Sequence, residues 1–416
     1  MQSAHRIAAS LLAGLLACGS VRASVIEVLH AWDYGDDGKA VDVLRSAVTQ
    51  KGHTWKEFIV AGGGGNGMAT AMLESRVLSG NPPSAAQVRT PDIAKWARQG
   101  KLASVDAVAK AEHWDALLPS VVRNAVQYDG QYVAVPVNVH RLNWLWINAQ
   151  ALKRAGATAP STWEQFFDTA EKLRRAGYVA VAHGGEQWQD SMLFETVALG
   201  VGGADFYARA LGEFDPEALS SDTMLRVLLT FRRIKQYTHS KGTVRTWKKA
   251  SQTLVDGEAG MQFMGDWAKP MFLQAEKRGG WSFECVPAPG SAREFLFTTD
   301  SFAIFKLADA SRTQAQKSFA SVLMSKAVQA RFNQAKGSIP ARLDTDSSQV
   351  DRCGAVAGAA YRRAAQSGGL IPSMAMSVRP ALELRMPEII SAFWRDERVT
   401  PAMTMSRLVQ ATRRQR

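Results

Sequence analysis

Val255–Asp256–Gly257–Glu258–Ala259–Gly260–Met261–Gln262–Phe263–Met264–Gly265–Asp266–Trp267, or VDGEAGMQFMGDW, is a turn, a strand and a strand end in thirteen residues. Asp256–Gly257 is a turn signal. Ala259–Met264 is a short apolar run of strand length, with Met261 and Phe263 alternating with Gly260 and Gln262. Gly265–Asp266–Trp267 then sets a carboxylate and an indole where the strand stops. That pair suits a polyhydroxylated ligand, because a flat ring packs on sugar C–H faces while a carboxylate accepts hydroxyl hydrogens. A core strand finished by a capping Trp reads the same residues equally well.

Working outward, the N-terminal half repeats a strand–helix rhythm. Val25–His30, Thr54–Val60 and Ala85–Val88 read as strands. Helices follow at about Lys39–Gln50, at Met68–Leu78, and from Pro91 with Asp92 in the first turn. The β-α-β-α-β order predicts a mostly parallel sheet covered by helices. Tyr132–Asn138 carries Pro136, which argues against a central strand and for a crossing between lobes. Leu142–Asn148 and Val179–Ala182 read as strands, Ser161–Glu164 as a capping box opening a helix to about Ala176, and Ser191–Leu199 as part of a helix. Asp222–Tyr237 and Lys248–Leu254 continue the helical pattern. Glu284–Pro289 and Phe297–Lys306 read as strands returning between lobes, and Ser311–Met324 and Lys326–Gln334 as helices broken by the loop Lys336–Pro340. The expected fold class is α/β, with two lobes, a hinge and a cleft between them for a small ligand.

The chain has 416 residues, enough for two lobes, and a formal net charge of +12. The basic residues are spread out and no basic run is interleaved with stacking aromatics, so no nucleic-acid partner is expected. Arg6 followed by the apolar run Ile7–Ala17 and by Val21–Arg22–Ala23 reads as a signal peptide cleaved before Ser24. The run is too short to span a bilayer. Cys18 in Leu15–Cys18 offers the competing reading of a lipid anchor. Export and an even count suggest that Cys285 and Cys353 form one disulfide, the alternative being two free buried thiols.

Several chemical motifs fail on inspection. Gly62–Gly65 lacks the Lys-Ser/Thr of a phosphate loop and the spaced glycines of a dinucleotide site. Asp33, Asp36 and Asp37 lack calcium-loop spacing, because Gly35 and Leu44 stand where ligands are needed. The seven histidines form no metal pair; His140 and His183 lie near strand ends, where they could face a cleft, and read first as satisfied structural residues. No nucleophile elbow is present. No metal or cofactor is expected. What gathers at predicted strand ends is Trp32, Arg89, Trp188, Gln189, Asp190, Asp266, Trp267, Asp300 and Lys336, an aromatic floor with polar walls.

Long collinear blocks of the chain resemble the periplasmic sugar-binding proteins of bacterial ABC importers, most closely the glucose/mannose-binding branch. They are VAGGGGNGMATAMLESRVLSGNPPSAAQV, YVAVPVNVHRLNWLWIN, AHGGEQWQDS, GEAGMQFMGDWAK, ECVPAPG, and KGSIPAR followed by GGLIPSMAM. The resemblance covers nearly the whole mature chain. It implies the two-lobed, maltose-binding-protein-like fold of type II. One lobe would hold residues 24–136 with about 299–340, the other 137–298 with about 341–416. It also implies one bound sugar, delivery to permease subunits in the inner membrane, a monomer in the periplasm, and no catalysis.

The site residues implied by the resemblance are Trp32, Asp37, Arg89, Asp266, Trp267, Thr298, Asp300, Lys336 and Met376. Trp32 matches the second Trp of the branch's His-Trp-Trp segment, and Asp37 stands about where its Glu falls. Asp300 and Lys336 are retained, and Cys285 and Cys353 match the family's paired cysteines. Four positions depart from the branch: Ala31 for Trp, Arg89 for Lys, Thr298 for Asn and Met376 for His. Losing one indole removes stacking worth on the order of 1 kcal/mol beyond area. Arg for Lys replaces a point charge with a planar fork. Met for His removes a hydrogen bond, and Tyr34 is a candidate substitute aromatic. Two other readings of the same residues are a paralogue that presents its ligand to a membrane sensor, and a secreted glycoside hydrolase using Asp266 and Asp300.

Overall fold

The computed structural model describes residues 24–32, 36–60, 67–238, 246–279, 281–346, 350–376 and 380–413. The leader with Cys18, the segment with Asp33, Tyr34 and Gly35, and the Gly62–Gly65 run lie outside the described residues.

Fourteen strands are described, β1 (Val25–His30), β2 (Thr54–Ile59), β3 (Ala85–Val88), β4 (Gln127–Tyr128), β5 (Gln131–Tyr132), β6 (Ala134–Pro136), β7 (His140–Arg141), β8 (Trp144–Asn148), β9 (Val179–Val181), β10 (Ala259–Phe263), β11 (Phe283–Pro287), β12 (Phe295–Thr298), β13 (Ser301–Ile304) and β14 (Leu370–Pro372). Five of them form a sheet in the order β2-β1-β3-β13-β6. β1 runs parallel to β2 and β3, as the strand–helix rhythm requires. The proline-bearing β6 takes the sheet edge, where a missing N–H costs least. A second sheet has the order β11-β8-β10-β9, and a third, of three short strands, β14-β12-β7. β10 is buried along its whole length on both faces. Its one internal polar side chain, Gln262, accepts a hydrogen bond from Ser251 at 2.9 Å through its Oε1.

The segment read as one strand, Phe297–Lys306, is two strands, broken at Thr299–Asp300. The cause is Asn138 on the neighbouring crossing. Its Oδ1 accepts the Asp300 N–H at 2.8 Å, and its carbonyl accepts the Thr299 hydroxyl at 2.6 Å. Side-chain bonds replace ladder bonds here, and the chain turns from β12 in the small sheet into β13 in the large one. β6 and β7 make the same passage through residues 137–139. A third passage is pinned where Val139 and Ile339 exchange backbone bonds of 2.8 and 3.1 Å.

The helix expected from Lys39 begins at Asp36 and runs to Gln50, and the one around Ser191–Leu199 extends over Gln187–Tyr207, with a break at Gly203. The capping box at Ser161–Glu164 is displaced by one residue. Thr162 caps the helix Trp163–Arg175, and Gln165 returns the bond. Cys285 on β11 and Cys353 on the helix Arg352–Ser367 form a disulfide, with Cα atoms 6.0 Å apart.

Candidate functional site

The passages between sheets carry a row of charged side chains. His140 opens β7 and is buried. Its Nδ1 lies 2.5 Å from Asp266 Oδ1, and its Nε2 lies 3.1 Å from Asp300 Oδ2. A neutral imidazole has one N–H, so two carboxylates on opposite nitrogens favour the imidazolium. Burial works against that charge. Asp266, by charge and hydrogen bond, and then Asp300 outweigh it, so the His140 pKa is pushed up to about 9. Asp266 Oδ2 accepts the Arg141 N–H at 2.9 Å. Asp300 accepts from Gln87 at 3.0 Å and from Asn138 at 2.8 Å. Burial opposes ionisation of Asp300 too. The bond and charge of His140, the charge of Lys336 and the Asn138 bond hold its carboxyl well below the usual carboxylate range.

Lys336 ends the helix Lys326–Lys336. Its Nζ lies 2.7 Å from Asp37 Oδ1 and 5.6 Å from the centre of the Trp32 ring. Burial would discharge this amine, but the charges of Asp37 and Asp300, the Asp37 bond and the more distant Asp266 raise its pKa. Gly337 follows with φ 89°, and a Cβ there would meet Pro270 Cδ at 2.6 Å and the Asp266 carbonyl oxygen at 2.7 Å. The close approach of these two segments therefore depends on glycine.

Trp267 follows Asp266 and packs edge-on against His140, with ring centres 5.4 Å apart. Its ring folds back over Gly265, where a Cβ would come within 2.3 Å of the indole. Trp188 also lies 5.9 Å from it, at 58°.

Of the sequence-predicted residues, Trp32, Asp37, Asp266, Trp267, Asp300 and Lys336 thus share one neighbourhood. Trp32 is buried there against Phe302 and Phe332 rather than presented as an open face. Thr298 is the register partner of His140. Arg89 caps the helix Thr90–Arg98 and lies 3.6 Å from Asp92. It follows Val88, whose register partner is Ser301 beside Asp300. Met376 is buried in the turn Met374–Met376, which packs on that same helix.

Two expected wall residues are corrected. Gln189 and Asp190 are fully buried. Gln189 accepts the Gly184 N–H at 3.0 Å, while Asp190 holds His183 at 2.8 Å and takes the Ser391 hydroxyl. They anchor a helix end and line nothing. His183 is the satisfied structural histidine expected. His140 is satisfied too, with both ring nitrogens bonded, and it also links the two aspartates of the site. Gln87 and Asn138 were missed, and no local spacing marks them. Asp266 and Asp300 meet opposite edges of one imidazole, so they do not converge on a point. Among the described residues no group of His, Cys, Asp or Glu is placed to hold a metal ion.

A groove of about 740 Å³ lies elsewhere, beside Val25 and Lys56 at the starts of β1 and β2, and contains none of these residues.

Residues 57–353 match the family model for bacterial extracellular solute-binding proteins. The chain belongs to this family. It is 40% identical over 369 residues to a probable sugar-binding periplasmic protein of Brucella suis, covering 88% of this chain and 87% of the relative. Two solved structures share the fold. One is a bacterial solute receptor described as exclusive for β-D-galactopyranose, with TM-score 0.77 and 18% identity over 94% of this chain and 98% of that one. The other is a chitin oligosaccharide binding protein, with TM-score 0.79 and 15% identity over 94% of this chain and 98% of that one. The solute-binding protein thus has the two-lobed α/β fold of such receptors, and the family acts outside the cytoplasm by binding rather than by catalysis. Among the described residues no helix is long and apolar enough to cross a membrane.

Proposed function

We propose that this solute-binding protein captures a neutral sugar between its two lobes and delivers it to the permease of an ABC importer. The observation that carries the reading is the bonded row Asp37–Lys336 and Asp300–His140–Asp266, laid across the passages between sheets and flanked by Trp267. Hydroxyls both donate and accept, so they can join such a row without adding net charge. Three carboxylates and two cations form the row, and the Arg141 guanidinium acts on Asp266 as a third cation, so an uncharged ligand joins the row without upsetting matched charges. Trp267 supplies the apolar face that a pyranose needs.

The ligand class is a glucose/mannose-like monosaccharide or a small oligosaccharide. Ala31, Arg89, Thr298 and Met376 would make its hydroxyl pattern differ from that read by the glucose branch. The lobes would be 24–136 with 299–340, and 137–298 with 341–416, closing as rigid bodies. The mature receptor would be a periplasmic monomer released by cleavage before Ser24. A hydrolase needs a carboxylic acid that holds its proton near neutral pH, whereas Asp300 is driven the other way.

Calorimetry of ligand-stripped protein against neutral mono- and disaccharides tests the reading, with native mass spectrometry of freshly purified protein to weigh any co-purifying sugar. One sugar is expected to bind, and Asp300→Asn to weaken it at least tenfold. No heat with any sugar, together with no co-purifying mass, would overturn it.

A further inference from the structure

We propose that Trp188 and Trp267 form a second sugar subsite, so that the preferred ligand has at least two linked sugar rings. This rests on the neutral-sugar reading above and extends it.

Trp188 is 40% exposed, the most exposed tryptophan among the described residues. It stands in a helix end whose next two residues are fully buried and bonded. Gln189 is tied to the Gly184 backbone, and Asp190 to His183 and Ser391. The indole is therefore held outward by rigid neighbours. Its exposed part lies beside Trp267, so the two indoles make a small aromatic patch rather than a lone exposed side chain.

The position of the ring says what the contact is. Trp267 touches both the buried His140 and the exposed Trp188, with ring centres 5.4 and 5.9 Å apart, and so joins the polar row to the surface. The two indoles meet at 58° rather than face to face, so they do not satisfy each other's faces. The one carboxylate next to Trp188 in the helix end, Glu186, is already engaged by Gln189 at 2.5 Å and by the Trp247 N–H at 3.1 Å. The nearby cation, Arg395, is turned to the Gly185 carbonyl at 2.9 Å and to Asp190 at 3.8 Å, so beside Trp267 this end presents the indole. A first ring beside His140 and Asp300 would be read by its hydroxyls. A second, linked ring would be held by its C–H face on Trp188.

Calorimetry compares wild type, Trp188→Ala and Trp188→Phe on glucose, galactose and xylose, and on maltose, cellobiose, xylobiose and chitobiose. Wild type should bind its best disaccharide about tenfold or more tighter than the matching monosaccharide. Trp188→Ala should erase most of that margin and leave monosaccharide affinity within about twofold, and Trp188→Phe should keep part of it. Unchanged melting temperatures would show that both variants fold. Equal wild-type affinity for one ring and two overturns the subsite and leaves the sugar reading standing. So does a Trp188→Ala loss that is the same for both, or no loss at all, which would place the exposed indole on a protein partner instead. Failure of every sugar, of either length, overturns the sugar reading itself.

Discussion

Asp300 and Glu195 are both carboxylates set inside this molecule, and their surroundings drive them in opposite directions. Asp300 lies in the passage between sheets, with His140 and Lys336 as cations and Gln87 and Asn138 as donors. Burial is outweighed there, and the group stays ionised. Glu195 lies within the helix Gln187–Tyr207 and, among the described residues, accepts from the Tyr207 hydroxyl and the Met374 N–H, the latter at 2.6 Å. Burial dominates over those two bonds and pushes its pKa up to about 7. The difference lies in the cations and in burial, for Asp300 is part-buried and Glu195 is buried with no cation beside its two bonds among the described residues. The passage between sheets is an ionic framework held in balance. The support behind the Met374–Met376 turn is close to neutral.

The sharpest way to break the comparison is to remove one carboxylate from the framework. Asp266→Ala leaves the His140 imidazolium with a single carboxylate and the Arg141 N–H without its acceptor. Breaking a buried pair in this way should cost about 3–5 kcal/mol, read from chemical denaturation. The His140 pKa, followed by NMR, should fall from about 9, since Asp266 is the larger of its two supports. A loss below about 1 kcal/mol would mean that the framework is not what holds the passages together.

A second variant separates charge from distance. Gly337→Ala removes no charge, yet its Cβ would stand 2.6 Å from Pro270 Cδ and 2.7 Å from the Asp266 carbonyl oxygen, on a backbone with φ 89°. Strain and displacement together should cost about 1–3 kcal/mol. Sugar affinity should drop because Lys336 and Asp266 are pushed apart, while the His140–Asp266 contact and its titration persist. Wild-type affinity and stability in this variant would show that the close approach is incidental.

These groups differ sharply in how well the chain announces them. The end of β10 is legible because strand, turn, carboxylate and indole are adjacent in Gly265–Asp266–Trp267. The parallel order of β1, β2 and β3 is legible because each strand is followed by its own helix. His140 is not legible, because its two partners lie 126 and 160 positions away. Gln87 is bonded to Asp300 across 213 positions, so no local pattern distinguishes it from a surface amide. The break at Thr299–Asp300 is hidden for the same reason: it is imposed by the side chain of Asn138, not by any turn residue of its own. Trp188, Gln189 and Asp190 teach a different limit. Successive helix residues point about 100° apart, so three adjacent polar or aromatic residues cannot share one wall. Which of them faces water is decided by how the helix rests on the core.

Glu195 gives the smallest and most selective test. Its folded pKa of about 7 lies above the ordinary 4.5, so between those values the folded chain holds a proton that the unfolded chain releases. Stability from this group is complete below about 4.5 and is lost as pH rises through about 7. The framework behaves otherwise. The His140 contribution is present below its ordinary 6.5 and fades as pH climbs through about 9, and that of Asp300 is present above 3.8 and fades only in strong acid. Glu195→Gln keeps the shape of the side chain and an acceptor for Tyr207 and Met374, but it cannot ionise. Between about pH 5 and about pH 8, wild type should therefore lose on the order of 1–3 kcal/mol more stability than Glu195→Gln, with the His140 contribution cancelling because both proteins share it. Parallel pH profiles for the two proteins would place Glu195 with the ionised carboxylates and remove the contrast between the two regions. A gap that opens in this interval, with the variant the more stable at high pH, would show that the turn carrying Met376 rests on a protonated acid.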